Sequence, residues 1–204
     1  MQNNITFTSN INFVSERMFR KATYKHSEYI PFENFGEGKF SSVTSNFHTM
    51  GIRTCTAGGI TDGEKAKGFH IRDSYENITN LDKIYKIITE PFEKPFKNIL
   101  LIGSKDLFFA PYSQKIFMAL KKLLMKNSQN FSYFQTFAFN SSEAHIHYNL
   151  PKDTWTINAQ IFNRKKENYY SISTKEDLLR TFEDISIGKE DKLFINGEEI
   201  QLEG

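Results

Sequence analysis

A glycine-rich turn between two strand-like segments constrains the fold of this chain more than any other feature. Residues 44–55 are rich in β-branched side chains and residues 66–72 alternate in polarity, so both segments are expected to be strands. Between them lie Gly58, Gly59 and the pair Asp62-Gly63, which supply the positive φ angles of a tight reversal. The sequence therefore predicts a long hairpin that brings the two strands side by side.

Side-chain alternation along this hairpin places a thiol and an imidazole at the same end of a sheet. Residues two apart in a strand share a face, so Thr49 and Cys55 are predicted to point the same way. On the second strand His70 points away from Phe69 and Ile71, which are expected in the core. The chain has only one cysteine, and we expect that cysteine to lie beside His70 at the rim of an open pocket.

This spacing resembles that of a known enzyme group. A threonine six residues before a cysteine, with a histidine fifteen residues after it across a glycine-rich turn, is similar to the cysteine glutamine deamidases. That group includes the chemoreceptor glutamine deamidases, the catalytic domain of the cytotoxic necrotizing factors and Burkholderia lethal factor. The resemblance implies that Cys55 is the nucleophile, His70 the general base and Thr49 a supporting residue. The group usually has small residues directly before its cysteine, whereas this chain has Arg53 and Thr54.

The chemistry implied by the resemblance is acyl transfer through a thioester. The thiolate is the nucleophile, so Cys55 is expected to titrate below the pKa of about 8.5 of a free thiol, with His70 as its base and Arg53 favouring the charged form. We therefore predict a cysteine-dependent deamidase that acts on a glutamine side chain of a protein substrate, as bacterial toxins and effectors of this group do. Two alternatives stay open. The same pair would serve a transglutaminase, in which an amine replaces water, and the hairpin with an aromatic surface would serve a non-enzymatic protein-interaction domain.

A pair of histidines raises the question of a metal site. His145 and His147 share one face of a predicted strand, which is a spacing that metal ligands use, and Glu143, His48 or His26 would have to supply a third ligand. Two strand histidines without a metal are the favoured interpretation, and we predict neither a metal nor a cofactor. A subordinate hypothesis places one of these histidines beside the catalytic pair.

Composition bounds the partners and the compartment. The 204 residues are expected to form a single catalytic domain over residues 1–204. With 26 basic and 24 acidic side chains the net charge is +2, which favours neither a nucleic-acid nor a membrane partner and leaves the oligomeric state open. No signal peptide or transmembrane segment is visible, so we expect a soluble protein in the bacterial cytoplasm or one delivered to a host cytosol by a route without a signal.

The remaining segments predict an α+β fold, a mostly antiparallel β-sandwich with two or three flanking helices. Helical periodicity is clearest over residues 81–90 and 113–126, and Thr174 is expected to cap a helix over residues 175–185. Strands are predicted over residues 4–14 (at a sheet edge), 98–103, 131–139, 143–150, 154–162 and 169–173, and a terminal hairpin over residues 191–202 turns at Asn196-Gly197.

Overall fold

The computed structural model describes residues 9–25, 27–32, 39–136 and 142–202. In chain order its elements begin with β1 (Asn10–Phe13), α1 (Glu16–Thr23), β2 (Glu28–Ile30), β3 (Asn46–Ile52), β4 (Thr56–Thr61), β5 (Ala66–Ile71), α2 (Tyr75–Thr79), α3 (Leu81–Thr89) and β6 (Phe96–Ser104). They continue with α4 (Pro111–Met125), β7 (Ser128–Thr136), β8 (Ser142–Asn149), β9 (Thr154–Asn163), β10 (Asn168–Ser171), α5 (Lys175–Thr181), β11 (Phe182–Ser186), β12 (Lys192–Ile195) and β13 (Glu198–Glu199).

The strands form two mixed sheets. The first has the order β13-β12-β1-β9-β8-β3-β2, with β10 also paired to β9, and the second has the order β11-β7-β6-β4-β5. Most neighbours are antiparallel, but β1 runs parallel to both β9 and β12, β2 to β3, and β6 to β7. The predicted α+β class is thus confirmed, and the parallel pairs are a feature that the predicted hairpins did not include.

The two sheets pack face to face through a shared apolar core. Phe47, Tyr148 and Trp155 enter it from the first sheet, whereas Leu100 and Phe134 enter it from the second, and all five are fully buried. The Phe13 ring of β1 and the Phe134 ring of β7 meet edge to face across the two sheets, with their centroids 5.4 Å apart. This contact between inner faces is the sandwich arrangement that alternating strands favour.

Helices cover the outer faces of the sheets. Ile84 of α3 and Phe117 of α4 pack with Phe69 and Ile71 of β5 in a second apolar cluster. On the first sheet, the buried Phe19 of α1 lies against the His145 ring, with centroids 5.8 Å apart. Five α-helices therefore flank the sheets in the described chain, more than the two or three predicted.

The hairpin around the glycine-rich segment differs from the predicted one. It joins β4 to β5, because Gly58 and Gly59 belong to strand β4 and the reversal is confined to residues 62–65, with Gly63 at φ +94°. Gly59 lies opposite Gly68, and a Cβ on either residue would come within 2.5 Å of the Phe47 ring. Gly59 and Gly68 therefore allow close packing between the sheets. The segment predicted to be a turn at Gly58 and Gly59 is part of strand β4.

Two other features differ from the prediction, and part of a third predicted element is not described. β1 was predicted at a sheet edge, but it lies between β9 and β12. The helix capped by Thr174, whose hydroxyl accepts from the Asp177 N–H, ends at Thr181, and the chain continues as strand β11. Residues 137–139 of the predicted strand lie outside the described residues. In the part of the chain that the structure describes, every helix is too short or too polar to cross a membrane.

Candidate functional site

The three predicted site residues come from three different segments. Thr49 lies on β3, His70 lies on β5 of the other sheet, and Cys55 lies in the short link between β3 and β4. All three are buried, with 0%, 2% and 1% of their surfaces exposed, respectively. The prediction that the thiol lies at the rim of an open pocket is therefore wrong. The three residues are buried at the junction of the two sheets.

A bulge breaks the predicted alternation along β3. The register of β3 against β8 shifts between Thr49 and Ile52, and Gly51 adopts φ +77° at this point. Both Thr49 and Ile52 are buried as a result, although an even alternation would put them on opposite faces. The prediction that one regular strand carries both Thr49 and Cys55 on a common face is thus wrong. The bulge and the link after it carry the chain from one sheet to the other.

A hydrogen bond joins Thr49 to His70 across the two sheets. The Thr49 Oγ1 lies 2.6 Å from the His70 Nδ1 and donates its proton to the Ile30 carbonyl oxygen at 2.7 Å. A hydroxyl has only one proton, so Oγ1 must accept from Nδ1–H. This contact fixes the imidazole tautomer, with the proton on Nδ1 and a free lone pair on Nε2. Nε2 is buried and has no hydrogen-bond partner among the described residues.

The β4–β5 hairpin relates the chain position of Cys55 to that of His70. His70 lies directly opposite Ala57, which belongs to the core between the sheets, and Cys55 precedes Ala57 by two residues. Cys55 directly precedes β4, so the cysteine and His70 lie on neighbouring segments of the chain. The thiol sulfur itself lies 4.0 Å from the Thr54 hydroxyl. No hydrogen bond joins the Cys55 thiol to the His70 imidazole, whose Nδ1 contacts Thr49 and whose Nε2 has no partner among the described residues.

Burial keeps both groups neutral. Burial raises the pKa of the Cys55 thiol to about 12, although the Thr54 hydroxyl and the backbone N–H groups of Arg53 and Asp73 act in the opposite direction. Burial also lowers the pKa of His70 to about 3. The prediction that the thiol has a lowered pKa is therefore wrong. At neutral pH the pair is a thiol and a neutral imidazole rather than a preformed ion pair.

The Arg53 guanidinium does not stabilise the thiolate as expected. Its Nε donates to a Glu143 carboxylate oxygen at 2.7 Å, and its guanidinium lies 5.8 Å from the centre of the Tyr169 ring. Arg53 therefore contributes to the site through its backbone N–H, which lowers the pKa of the Cys55 thiol. The guanidinium ties the β3–β4 link to β8.

Phe32 covers the imidazole from the side of β2. Its ring meets the His70 ring edge to face at 4.9 Å, and the Arg72 guanidinium lies 5.5 Å from the centre of the Phe32 ring. Phe32 is 38% exposed, so it stands between the buried imidazole and solvent. The sequence did not indicate Phe32, since nothing in its surrounding residues predicts contact with His70, which lies 38 residues later in the chain.

His145 and His147 lie away from this site. Thr49 pairs with Ile146 on the inner face of the first sheet, so the two flanking histidines face outward. His145 Nδ1 accepts from the Gly51 N–H at 3.0 Å, and His147 lies opposite His48. The hypothesis that one of them adjoins the catalytic pair is wrong. Among the described residues no group of three or more histidine, cysteine or acidic side chains is arranged to hold a metal, and His26 lies outside those residues.

Comparisons with known proteins add no family to this geometry. No protein-family model matches the chain, and no curated protein matches it in sequence. The functional argument therefore depends on the arrangement of Thr49, Cys55 and His70.

Proposed function

We propose that this protein is a cysteine-dependent deamidase that converts a glutamine side chain of a protein substrate to glutamate. The observation that carries the proposal is the tautomer of His70. The Thr49 hydroxyl holds the proton on Nδ1, which leaves the Nε2 lone pair free to take a proton. A third group that orients an imidazole in this way is the common element of Cys-His and Ser-His sites.

The reaction begins with attack of the Cys55 sulfur on the amide carbon of glutamine. The thiol proton passes to His70 Nε2 as the S–C bond forms, so the imidazole acts as general base. The tetrahedral intermediate then loses ammonia, which takes the proton back from Nε2, and a thioester remains. Water attacks the thioester with His70 again as base, the C–S bond breaks, and glutamate and the free thiol are released.

The neutral ground state suits this sequence of proton transfers. A thiol with a pKa near 12 is not a nucleophile by itself at neutral pH, so its proton must move to His70 during the attack. The backbone N–H groups of Arg53 and Asp73 favour negative charge on the sulfur as that proton leaves. The protein substrate is expected in the bacterial cytoplasm or in a host cytosol, as the resemblance implies.

The test measures ammonia release when the protein is added to a desalted soluble cell extract. Mass spectrometry of the extract proteins then identifies the glutamines that have been converted to glutamate. We expect Cys55→Ser to abolish both signals and to keep the circular dichroism spectrum of the wild type. Thr54→Ser, which changes the neighbouring residue but keeps the hydroxyl, should retain activity. A Cys55→Ser protein that releases ammonia at the wild-type rate would falsify the proposal.

A non-enzymatic protein-interaction role is the second candidate. The observation in its favour is that the thiol is buried and has its pKa raised, as expected of a cysteine that only fills the core. The rate of Cys55 alkylation by iodoacetamide, measured on the folded protein with and without the cell extract, separates the two roles. A nucleophilic cysteine is alkylated in the folded protein and is protected by bound substrate, whereas a core cysteine stays unreactive until the protein unfolds. Products formed with an added primary amine would identify transglutaminase activity instead.

A further inference from the structure

The outward-facing His145 contacts the bulge of β3. The bulge sets two residues of β3, Met50 and Gly51, against the single residue His145 of β8. A bulge of this kind leaves a backbone N–H outside the regular ladder, and here an imidazole accepts it, since the Gly51 N–H donates to the His145 Nδ1 at 3.0 Å. His145 is 4% exposed. The buried side chain of His145 therefore completes the backbone pairing of the bulge.

This contact fixes the protonation state of His145. An imidazole nitrogen accepts a hydrogen bond only through its lone pair, so Nδ1 carries no proton and the single ring proton lies on Nε2. The Nε2 atom lies 3.6 Å from the Glu143 Oε1. A protonated His145 would carry an N–H on both nitrogens, and the Gly51 N–H would then face a second donor. The hydrogen bond to the bulge therefore exists only while His145 is neutral.

The same network reaches the link that carries Cys55. The other oxygen of Glu143, Oε2, accepts from the Arg53 Nε at 2.7 Å. Arg53 lies in the link between β3 and β4, two residues before Cys55, and its backbone N–H lowers the pKa of the thiol. His145 and Glu143 thus hold this part of the chain at two points, one at Gly51 and one at Arg53.

The surroundings of His145 act in both directions on its protonation. Burial has the largest effect and lowers the pKa of His145 below its usual 6.5. The Glu143 carboxylate and the Glu16 carboxylate of α1 raise this pKa, and the Arg20 guanidinium of α1 lowers it. The uncharged Asn158 lies opposite on β9. Other titratable groups on this side of the first sheet belong to Arg53, His48 and His147. The imidazole is therefore neutral at neutral pH and gains a proton only in acidic solution.

We propose that His145 is a positioning residue of the candidate site, which in its neutral form holds the β3 bulge and the β3–β4 link so that Cys55 stays buried. Protonation removes the acceptor of the Gly51 N–H and makes the imidazolium compete with Arg53 for the Glu143 carboxylate. The link is then released and the thiol becomes accessible. This inference rests on the proposed function, because it concerns the candidate nucleophile, but the release of the link is measurable without a substrate.

The test measures how fast dipyridyl disulfide, a reagent that modifies thiols even in acid, reacts with Cys55 between about pH 7 and pH 4.5. Each rate is divided by the rate for the same protein unfolded in guanidinium chloride at the same pH, so that the ratio reports exposure of the thiol alone. We expect the wild-type ratio to rise about tenfold in acid, the effect of one hydrogen bond on an opening equilibrium. In His145→Gln, whose side-chain carbonyl accepts from the Gly51 N–H at every pH, the ratio should stay within about twofold.

Three controls separate this effect from other causes. His48→Gln removes a histidine of the same face but leaves the Gly51 hydrogen bond in place, so it should follow the wild-type profile. His145→Phe removes the acceptor at every pH and should react near neutral pH as fast as the wild type does in acid. A low urea concentration should leave the wild-type ratio unchanged, because a local opening exposes little surface and global unfolding exposes much.

Each other outcome overturns one proposal and spares the other. A wild-type ratio that is constant with pH, or a His145→Gln ratio that follows the wild-type profile, overturns the positioning role of His145. So does a ratio that rises with urea as steeply as global unfolding. These results leave the deamidase proposal intact. Conversely, a Cys55→Ser protein that releases ammonia as fast as wild type overturns the deamidase proposal and leaves the control of the link by His145 intact.

Discussion

Replacing Thr49 by Val tests the orientation of the candidate general base. Valine keeps the size of the side chain but removes the hydroxyl that joins the Ile30 carbonyl at 2.7 Å and the His70 Nδ1 at 2.6 Å. Both partners then stay buried without a hydrogen bond. Leaving a buried polar group unsatisfied costs about 1–3 kcal/mol, so with two such groups we expect Thr49→Val to lower the free energy of unfolding by about 2–6 kcal/mol.

Urea unfolding measures this loss, and nitrogen-15 NMR of the imidazole measures the tautomer. Thr49→Ser is the matched control, because it keeps the hydroxyl and loses only a methyl group, at a cost of about 1 kcal/mol. We expect His70 in the wild type to carry its proton on Nδ1 and in Thr49→Val to show a mixture of tautomers. A wild-type spectrum with the proton on Nε2, or a valine variant as stable as the serine variant, would refute the argument from the Thr49 hydroxyl.

Two further predictions concern pH and packing. The pKa of His70 is about 3 in the folded state and 6.5 when exposed, so the unfolded chain binds more protons below pH 6.5 and stability falls as the pH is lowered. Between pH 6.5 and 5 the wild type should therefore lose about 1.7 kcal/mol more than His70→Asn, which keeps a donor for Thr49. Equal losses of unfolding free energy in urea for the two proteins would contradict this. Gly68→Ala would place a Cβ 2.4 Å from the Ile30 side chain and 2.5 Å from the Phe47 ring, so we expect a loss of about 1–3 kcal/mol in urea. Because Phe47 and Gly68 each lie two residues from the Thr49–His70 contact, that variant should also shift the His70 imidazole resonances, whereas Gly63→Ala, at the hairpin turn, should leave them in place.

The elements with clear periodicity were predicted well from the sequence. Helix α3 ends one residue before its predicted end at Glu90, and the terminal hairpin turns at Asn196-Gly197, where both residues have positive φ. Strand β11 was missed because the apolar residues after Thr181 continue the helical spacing of α5. The chain leaves the helix there since Phe182 packs in the core between the sheets, and no local preference encodes that contact.

The way the chain assembles the candidate site was not predictable from the sequence. The spacing of Thr49, Cys55 and His70 selected three side chains of which the structure joins two by a hydrogen bond. Spacing alone did not reveal that Thr49 belongs to a different sheet, because Gly59 reads as a turn residue and the bulge at Gly51 has no distinctive pattern. Burial of the thiol was equally hidden, since it depends on contacts between distant segments.

The central position of β1 has a consequence for how the chain is synthesised. Asn10 pairs with Thr154 on one side and with Lys192 on the other, although its nearest partner emerges from the ribosome 144 residues later. Pairings so distant along the chain have a high contact order and form slowly. A nascent chain that already contains β3, β4 and β5 therefore holds an incomplete first sheet with unpaired backbone at its edge, where non-native association is a risk until β9 arrives.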